Sequence, residues 1–342
     1  MLNKIIRKYL TTITVLLFGI VGLCHSQNQA AVVSAHPKAT DAGINILKVG
    51  GNAFDAAIAV ASTLSVVEPF GSGIGGGGFF LFYLADADKY VFIDAREMAP
   101  GLSNDRMFDD YEGNYSRAKA LDSPLSSAIP GLPAALSHIA KFYGGLELDQ
   151  TMSESIKIAE EGFKVSERYR KMASYRLECL KSNNEASNIF LNQLRVPPLN
   201  YVIKQPDLAD TLSAISRDSS FFYTGEIAEE MVRSVEDKGG IWSLDDLENY
   251  VLKERKPIIA EISGLRLVSA PPPSSGGIVL AQALKILENY ELSNYKEKPE
   301  TDYFKIFDIQ TPNWLIPIVT NDIYIYDRLL CSDLDAQIKT IN

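Results

Sequence analysis

The first strong pattern along the chain is a pair of apolar helical segments. Between residues 37 and 49 the apolar positions recur at helical spacing, and two glycines at 50 and 51 end the segment. Residues 54–67 are almost wholly apolar, and Asn52 stands where it can cap their N-terminus. Because a helix that is apolar on most sides must be buried on most sides, the pattern predicts two helices at the core.

A glycine-rich segment then leads into a predicted β-hairpin. Residues 71–78 (GSGIGGGG) precede the apolar run 79–84, residues 85–88 have the composition of a turn, and residues 90–94 form the returning strand. Strands next to buried helices predict a sheet covered by helices, which is an α/β (α+β) layered architecture.

The rest of the chain reads as short helices, one strand pair and a polar surface loop over residues 100–120. The strand pair is centred on Gly264, and either Ser274 or Ser275 is expected to cap the helix that follows it. No internal repeat or linker divides this region. Helices are predicted at 130–143, 152–161, 167–180, 207–216, 225–237, 244–250 and 278–287.

The first 26 residues have the layout of a secretory signal peptide. Lys4, Arg7 and Lys8 precede an apolar run over residues 10–23, which is shorter than the roughly 20 residues that span a membrane. We therefore expect cleavage near Ser26, no stable membrane span, and a secreted or periplasmic protein. A membrane-spanning helix and a lipid anchor at Cys24 are the alternatives.

Composition and charge narrow the function classes. The chain is 46% hydrophobic and 22% charged with a net charge of −10, and loss of the leader would make it more acidic. An acidic surface without a basic stripe disfavours nucleic acid as a partner. Three cysteines and three histidines without ligand spacing predict neither a disulfide framework nor a zinc site, so buried or incidental thiols are the expected reading of Cys179 and Cys331.

Six segments, in this order, resemble the γ-glutamyltranspeptidase family over residues 31 to about 300. They are residues 50–57 (GGNAFDAA), 67–69 (VEP) with the glycines of 71–78, 94–97 (DARE), 129–131 (IPG), 205–208 (QPDL) and 270–277 (APPPSSGG). Each segment alone is a weak signal, and the resemblance rests on their order.

The resemblance implies an N-terminal-nucleophile hydrolase with an αββα sandwich. Such a precursor cuts itself into large and small subunits, and the new N-terminal threonine attacks γ-glutamyl amides such as glutathione. The glutamyl group then passes from the threonyl acyl-enzyme to water or an amino acid, and no cofactor is needed. The implied organisation is a signal peptide at 1–26, a large-subunit domain at 27–300 and a divergent tail at 301–342, with a small subunit as heterodimer partner.

Arg96 is the substrate-binding residue that the resemblance implies. It follows a predicted strand and matches the arginine that holds the α-carboxylate of the glutamyl group, a task suited to the planar two-pronged donor geometry of a guanidinium. The alternative is an ordinary ion pair with Asp94 or Glu97.

Two other features invite rival readings. The glycine-rich segment lies between a helix and a strand and no lysine follows it, unlike a phosphate-binding loop, so close backbone packing is the favoured explanation. Ser274 and Ser275 lack the surroundings of a nucleophile elbow.

His36 and His138 occur singly and are expected to be structural.

The family pattern ends near residue 301, and no catalytic residue is assigned. The only adjacent threonines are Thr11 and Thr12, and no threonine precedes a histidine. We therefore expect these 342 residues to be inactive alone. An enzyme subunit that needs a small subunit, a non-catalytic γ-glutamyl-binding remnant, a cephalosporin acylase-like amidase and an inactive gene product all remain open.

Overall fold

The computed structural model describes residues 30–289 and 339–341. The predicted signal peptide and nearly all of the predicted tail lie outside these residues, as does Cys331. Among the described residues, no helix combines the length and apolar character needed to cross a membrane.

Helices and short strands alternate along the described chain. The helices are α1 (Pro37–Lys48), α2 (Ala53–Val67), α3 (Arg117–Asp122), α4 (Leu132–Tyr143), α5 (Leu148–Glu161), α6 (Glu167–Tyr175), α7 (Leu177–Lys181), α8 (Asn184–Phe190), α9 (Pro206–Arg217), α10 (Ser220–Tyr223), α11 (Glu226–Glu236), α12 (Leu244–Glu248) and α13 (Gly276–Leu287). The strands are β1 (Ala30–Val32), β2 (Gly78–Leu84), β3 (Lys89–Ala95), β4 (Phe163–Lys164), β5 (Val202–Ile203), β6 (Lys253–Arg255), β7 (Ile258–Ile262), β8 (Leu265–Ser269) and β9 (Lys339–Ile341).

The predicted hairpin forms the main sheet. Strands β2 and β3 pair antiparallel, and β6 joins the outer edge of β3 to give the order β2-β3-β6. Short antiparallel pairs are formed by β1 with β9, β4 with β5, and β7 with β8, the last being the pair predicted around Gly264.

The two faces of the hairpin have different surroundings. Because side chains alternate along a strand, Phe80 and Phe82 share a face with Val91 and Ile93, and all four join the main hydrophobic core with residues of α2, α4, α5 and α9. On the opposite face, Leu81 is 41% exposed and Tyr83 is 50% exposed. The described chain thus forms a layer of helices on one face of the sheet, and the other face is partly open.

Asp55 fastens the start of α2 to the loop that joins α4 to α5. Its carboxylate accepts hydrogen bonds from the backbone N–H groups of Asn52 (2.8 Å), Gly145 (3.0 Å) and Leu146 (3.2 Å), and Asn52 caps the helix in return. Asp55 is fully buried. The Asp55 carboxylate therefore accepts from three backbone N–H groups at the start of α2 and in the α4–α5 loop, as buried backbone donors require.

Replacing Asp55 by alanine is expected to lower the free energy of unfolding by about 3 kcal/mol, because buried donors lose a charged acceptor. Urea unfolding followed by circular dichroism measures this loss. Asp86, an exposed acid in the hairpin turn, supplies the control, and Asp86→Ala is expected to change stability by less than about 0.5 kcal/mol. Equal stability of the two variants would contradict this role for Asp55.

Two local predictions need correction. The helix expected over residues 167–180 is two helices, because the backbone leaves the helical region at Arg176 (φ −113°, ψ 16°). Ser275 precedes α13 in a helical conformation and makes no capping hydrogen bond, nor does Ser274, since a capping side chain normally requires extended backbone. Cys179 is exposed and free, which agrees with the incidental thiol that was one of the two readings expected.

Candidate substrate-binding site

Arg96 lies immediately beyond the end of β3 and is exposed to solvent. Asp94 is buried and pairs instead with Arg255 of β6, with 2.6 Å between Nε and Oδ2. Within the described part of the chain, the Arg96 guanidinium has no ion pair or hydrogen bond, with Glu97 or any other residue. Arg96 therefore makes neither of the ion pairs, with Asp94 or Glu97, that were the alternative. The positive charge of Arg96 is available to a ligand.

The backbone at Arg96 is held on both sides of the residue. Its N–H group donates to Asp94 Oδ1 (3.1 Å), and its carbonyl accepts from the Tyr250 hydroxyl (3.0 Å). Two residues further on, Met98 and Ile129 exchange backbone hydrogen bonds of 3.1 and 2.7 Å. The exposed guanidinium therefore projects from a fixed backbone.

Two glycines allow other segments to pass against this backbone. A Cβ atom on Gly77 would lie 2.3 Å from the Ala95 carbonyl oxygen, and one on Gly131 would lie 2.2 Å from the same atom. These separations are far shorter than any real contact, so only glycine fits at either position. The predicted packing role of the glycine-rich segment is confirmed at Gly77, whereas Gly71 and Gly75 face open space.

A cavity of about 570 Å³ opens beside Arg96. It is lined by Gly75, Arg96, Glu97, Ala99, Ser126, Ser127, Ala128, Val235 and Trp242. The Trp242 indole N–H donates to the Ser127 carbonyl (3.0 Å), which fixes one wall. The cavity offers one unpaired cation beside one carboxylate, an arrangement suited to a small ligand that carries a carboxylate.

Tyr250 has an electrostatic environment that keeps its hydroxyl protonated. Burial raises the pKa of Tyr250 to about 12, and the neighbouring Asp94 and Glu97 carboxylates contribute to the rise. The hydroxyl therefore remains a donor to the Arg96 carbonyl throughout the neutral range.

The glycine-rich segment is anchored at its start by Glu68, the residue that caps the C-terminus of α2. The buried Glu68 carboxylate pairs with Arg168, with 3.2 Å between Oε2 and Nε. Burial raises the pKa of Glu68, and Arg168 opposes that rise. The Glu68 carbonyl also accepts from the N–H groups of Gly71 (2.9 Å) and Ser72 (3.0 Å).

The two described histidines have structural contacts, as predicted. His36 caps α1 by accepting from Lys38 N–H, and burial, with Lys38 and Arg168, lowers the pKa of His36 to about 4. His138 lies 3.0 Å from Glu254 of β6. Neither lines the Arg96 cavity.

Ser126 and Ser127 line the cavity, whereas no threonine or cysteine of the described residues does, and Ser274 and Ser275 are not among the lining residues. No group of three or more His, Cys, Asp or Glu among the described residues is arranged to hold a metal ion.

The sequence pattern singled out Arg96 as a candidate and did not single out Tyr250 or Trp242. Tyr250 lies far along the chain from Arg96, and no short-range pattern connects them. Residues 129–131 entered the sequence analysis only as one of six segments that occur in the family's order. The close approach of Gly131 to Ala95 explains why residue 131 is a glycine.

A helical layer on an antiparallel sheet, with an arginine at a strand end, fits the N-terminal-nucleophile hydrolase class. Comparison with known proteins identifies the family within that class. Residues 39–310 match the family model described as gamma-glutamyltranspeptidase. The chain belongs to the γ-glutamyltranspeptidase family.

Individual members of the family are similar to the chain in sequence and in structure. The chain is 36% identical to the glutathione hydrolase proenzyme of Escherichia coli over 269 residues, which cover 78% of this chain and 46% of that protein. It is 37% identical to the Bacillus subtilis proenzyme over 266 residues, which are 77% of this chain and 45% of that protein. The Helicobacter pylori gamma-glutamyltranspeptidase structure superposes with a TM-score of 0.77 at 34% identity, covering 80% of this chain and 79% of that one. The chain spans about half the length of the curated relatives it matches.

Proposed function

We propose that this chain supplies the carboxylate-binding half of a γ-glutamyltranspeptidase that acts on γ-glutamyl amides such as glutathione. The observation that carries the proposal is the unpaired Arg96 guanidinium, fixed at a strand end beside a cavity. Its two parallel N–H groups match the α-carboxylate of a glutamyl group and orient the γ-carbonyl away from the arginine.

The reaction proposed for the assembled enzyme is acyl transfer from a γ-glutamyl donor. An N-terminal threonine on a small subunit attacks the γ-carbonyl, its own α-amine takes the proton, and the amine portion of the donor leaves. Water or an amino acid then accepts the glutamyl group from the threonyl ester. The role of this chain is to hold the donor in position for that attack.

The open face of the hairpin is an observation in favour of a small-subunit partner. Leu81 and Tyr83 leave apolar surface exposed on the side opposite the helices, where a second sheet would complete an αββα sandwich. We further propose that residues 1–26 export the chain to a secreted or periplasmic location, that residues 27–300 form the large-subunit domain, and that residues 301–342 are a separate tail.

The Arg96→Lys variant tests this function. Lysine keeps the charge and loses the paired geometry, which is expected to cost about 1.5 to 3 kcal/mol, or roughly 10- to 150-fold in KM for a γ-glutamyl anilide. The measurement uses the chain co-expressed with the small subunit of a relative. Arg106→Lys, at an exposed loop arginine paired with Asp109, is the matched control.

A second substrate tests whether the effect of Arg96→Lys depends on the α-carboxylate. A 4-aminobutyryl anilide keeps the amine and lacks the α-carboxylate, so Arg96→Lys is expected to leave its KM unchanged. An unchanged KM for the γ-glutamyl anilide would refute the assignment of Arg96. Preference of the parent enzyme for a glutaryl anilide, which keeps the carboxylate and lacks the α-amine, would favour the acylase-like alternative.

A further inference from the structure

Tyr250 connects the end of α12 to the backbone of Arg96. Its hydroxyl donates to the Arg96 carbonyl over 3.0 Å, and its own N–H group bonds to the carbonyl of Leu247, a buried residue of α12. The hydroxyl therefore reaches Arg96, whose guanidinium has no ion pair among the described residues, from an element remote in sequence.

The Tyr250 ring is itself held by a second tyrosine. Tyr223 stacks on it with the ring planes 10° apart and the centroids separated by 5.6 Å. The Tyr223 hydroxyl donates to the Pro130 carbonyl (3.0 Å) and accepts from the Ala134 N–H group (3.2 Å), which joins the stack to the first turn of α4. The position of the Tyr250 hydroxyl is thus fixed from the face of its ring.

Gly131 leaves the space that this hydroxyl occupies. A Cβ atom at residue 131 would lie 2.1 Å from the Tyr250 oxygen and 2.2 Å from the Ala95 oxygen. The hydroxyl, the end of β3 and the start of α4 consequently meet at one point, directly behind Arg96.

We propose that Tyr250 is a positioning residue, which directs the Arg96 guanidinium by holding the Arg96 carbonyl. Its effect on catalysis rests on the function proposed for Arg96, whereas its hold on the backbone does not. The high pKa of Tyr250 is consistent with this role, because the group remains a donor at neutral pH.

Amide hydrogen exchange of the full chain tests the hold on the backbone. Tyr250→Phe keeps the ring and its stack and removes one hydrogen bond, so the Arg96 and Glu97 amides are expected to exchange about three- to tenfold faster. The Gly131 and Leu132 amides, which donate to the Gly76 carbonyl, are expected to keep their rates. Tyr83→Phe, at an exposed tyrosine of the hairpin, is the control. Unchanged exchange at Arg96, or equal acceleration throughout, would overturn the proposal.

Kinetics of the chain assembled with a relative's small subunit test the effect on substrate. Tyr250→Phe is expected to raise KM for a γ-glutamyl anilide about three- to tenfold, with kcat within about twofold and no change for a 4-aminobutyryl anilide. The effect is expected to shrink when Arg96 is already lysine, because the two residues act together. If Arg96→Lys raises KM and Tyr250→Phe does not, the positioning role is wrong. If Arg96→Lys itself has no effect, the proposed function is wrong, and the exchange result alone decides the hold of Tyr250 on Arg96.

Discussion

Alanine at position 131 is expected to displace the end of β3 and to lower the free energy of unfolding by about 3 kcal/mol. The added methyl group would lie 2.2 Å from the Ala95 carbonyl oxygen and 2.1 Å from the Tyr250 hydroxyl. Ala95 is fully buried in the central strand, so its backbone has no room to withdraw. The clash therefore acts on the segment that carries Arg96.

Urea unfolding followed by circular dichroism measures the loss. Gly71→Ala is the matched control, because a Cβ atom there meets nothing within 4 Å, and it is expected to change stability by less than about 1 kcal/mol. Parent-like stability of Gly131→Ala would show that the three elements do not meet as closely as described.

The second large effect concerns turnover. A polypeptide of these 342 residues, assayed alone, is expected to release no p-nitroaniline from a γ-glutamyl anilide above a blank without protein. None of its threonines precedes a histidine, and no threonine within residues 30–289 lines the Arg96 cavity. Without a threonine nucleophile and its α-amine, the acyl-enzyme cannot form.

The elements that sequence alone predicted well have local causes. The apolar run of α2 and its cap at Asn52 identify that helix within a few residues, and the apolar run after the glycines with the turn at 85–88 identifies the hairpin. The break at Arg176 was not predicted, because the charged segment has helical composition on both sides of it.

The site was predicted only in part, because its remaining contacts join distant segments. Arg96 was found through a motif at a strand end. Tyr250 and Trp242 reach the same place from beyond α11, and their partners are the carbonyl groups of Arg96 and Ser127. A carbonyl acceptor is present at every residue, so nothing in the sequence identifies which one a distant hydroxyl or indole will contact.

The most direct test of the account is turnover by this chain when it is co-expressed with the small subunit of a relative that begins with threonine. The account predicts release of p-nitroaniline from a γ-glutamyl anilide by the purified heterodimer, a KM that rises about tenfold or more in Arg96→Lys, and no release by either part alone. A folded, stoichiometric heterodimer without turnover, or turnover whose KM does not depend on Arg96, would contradict it.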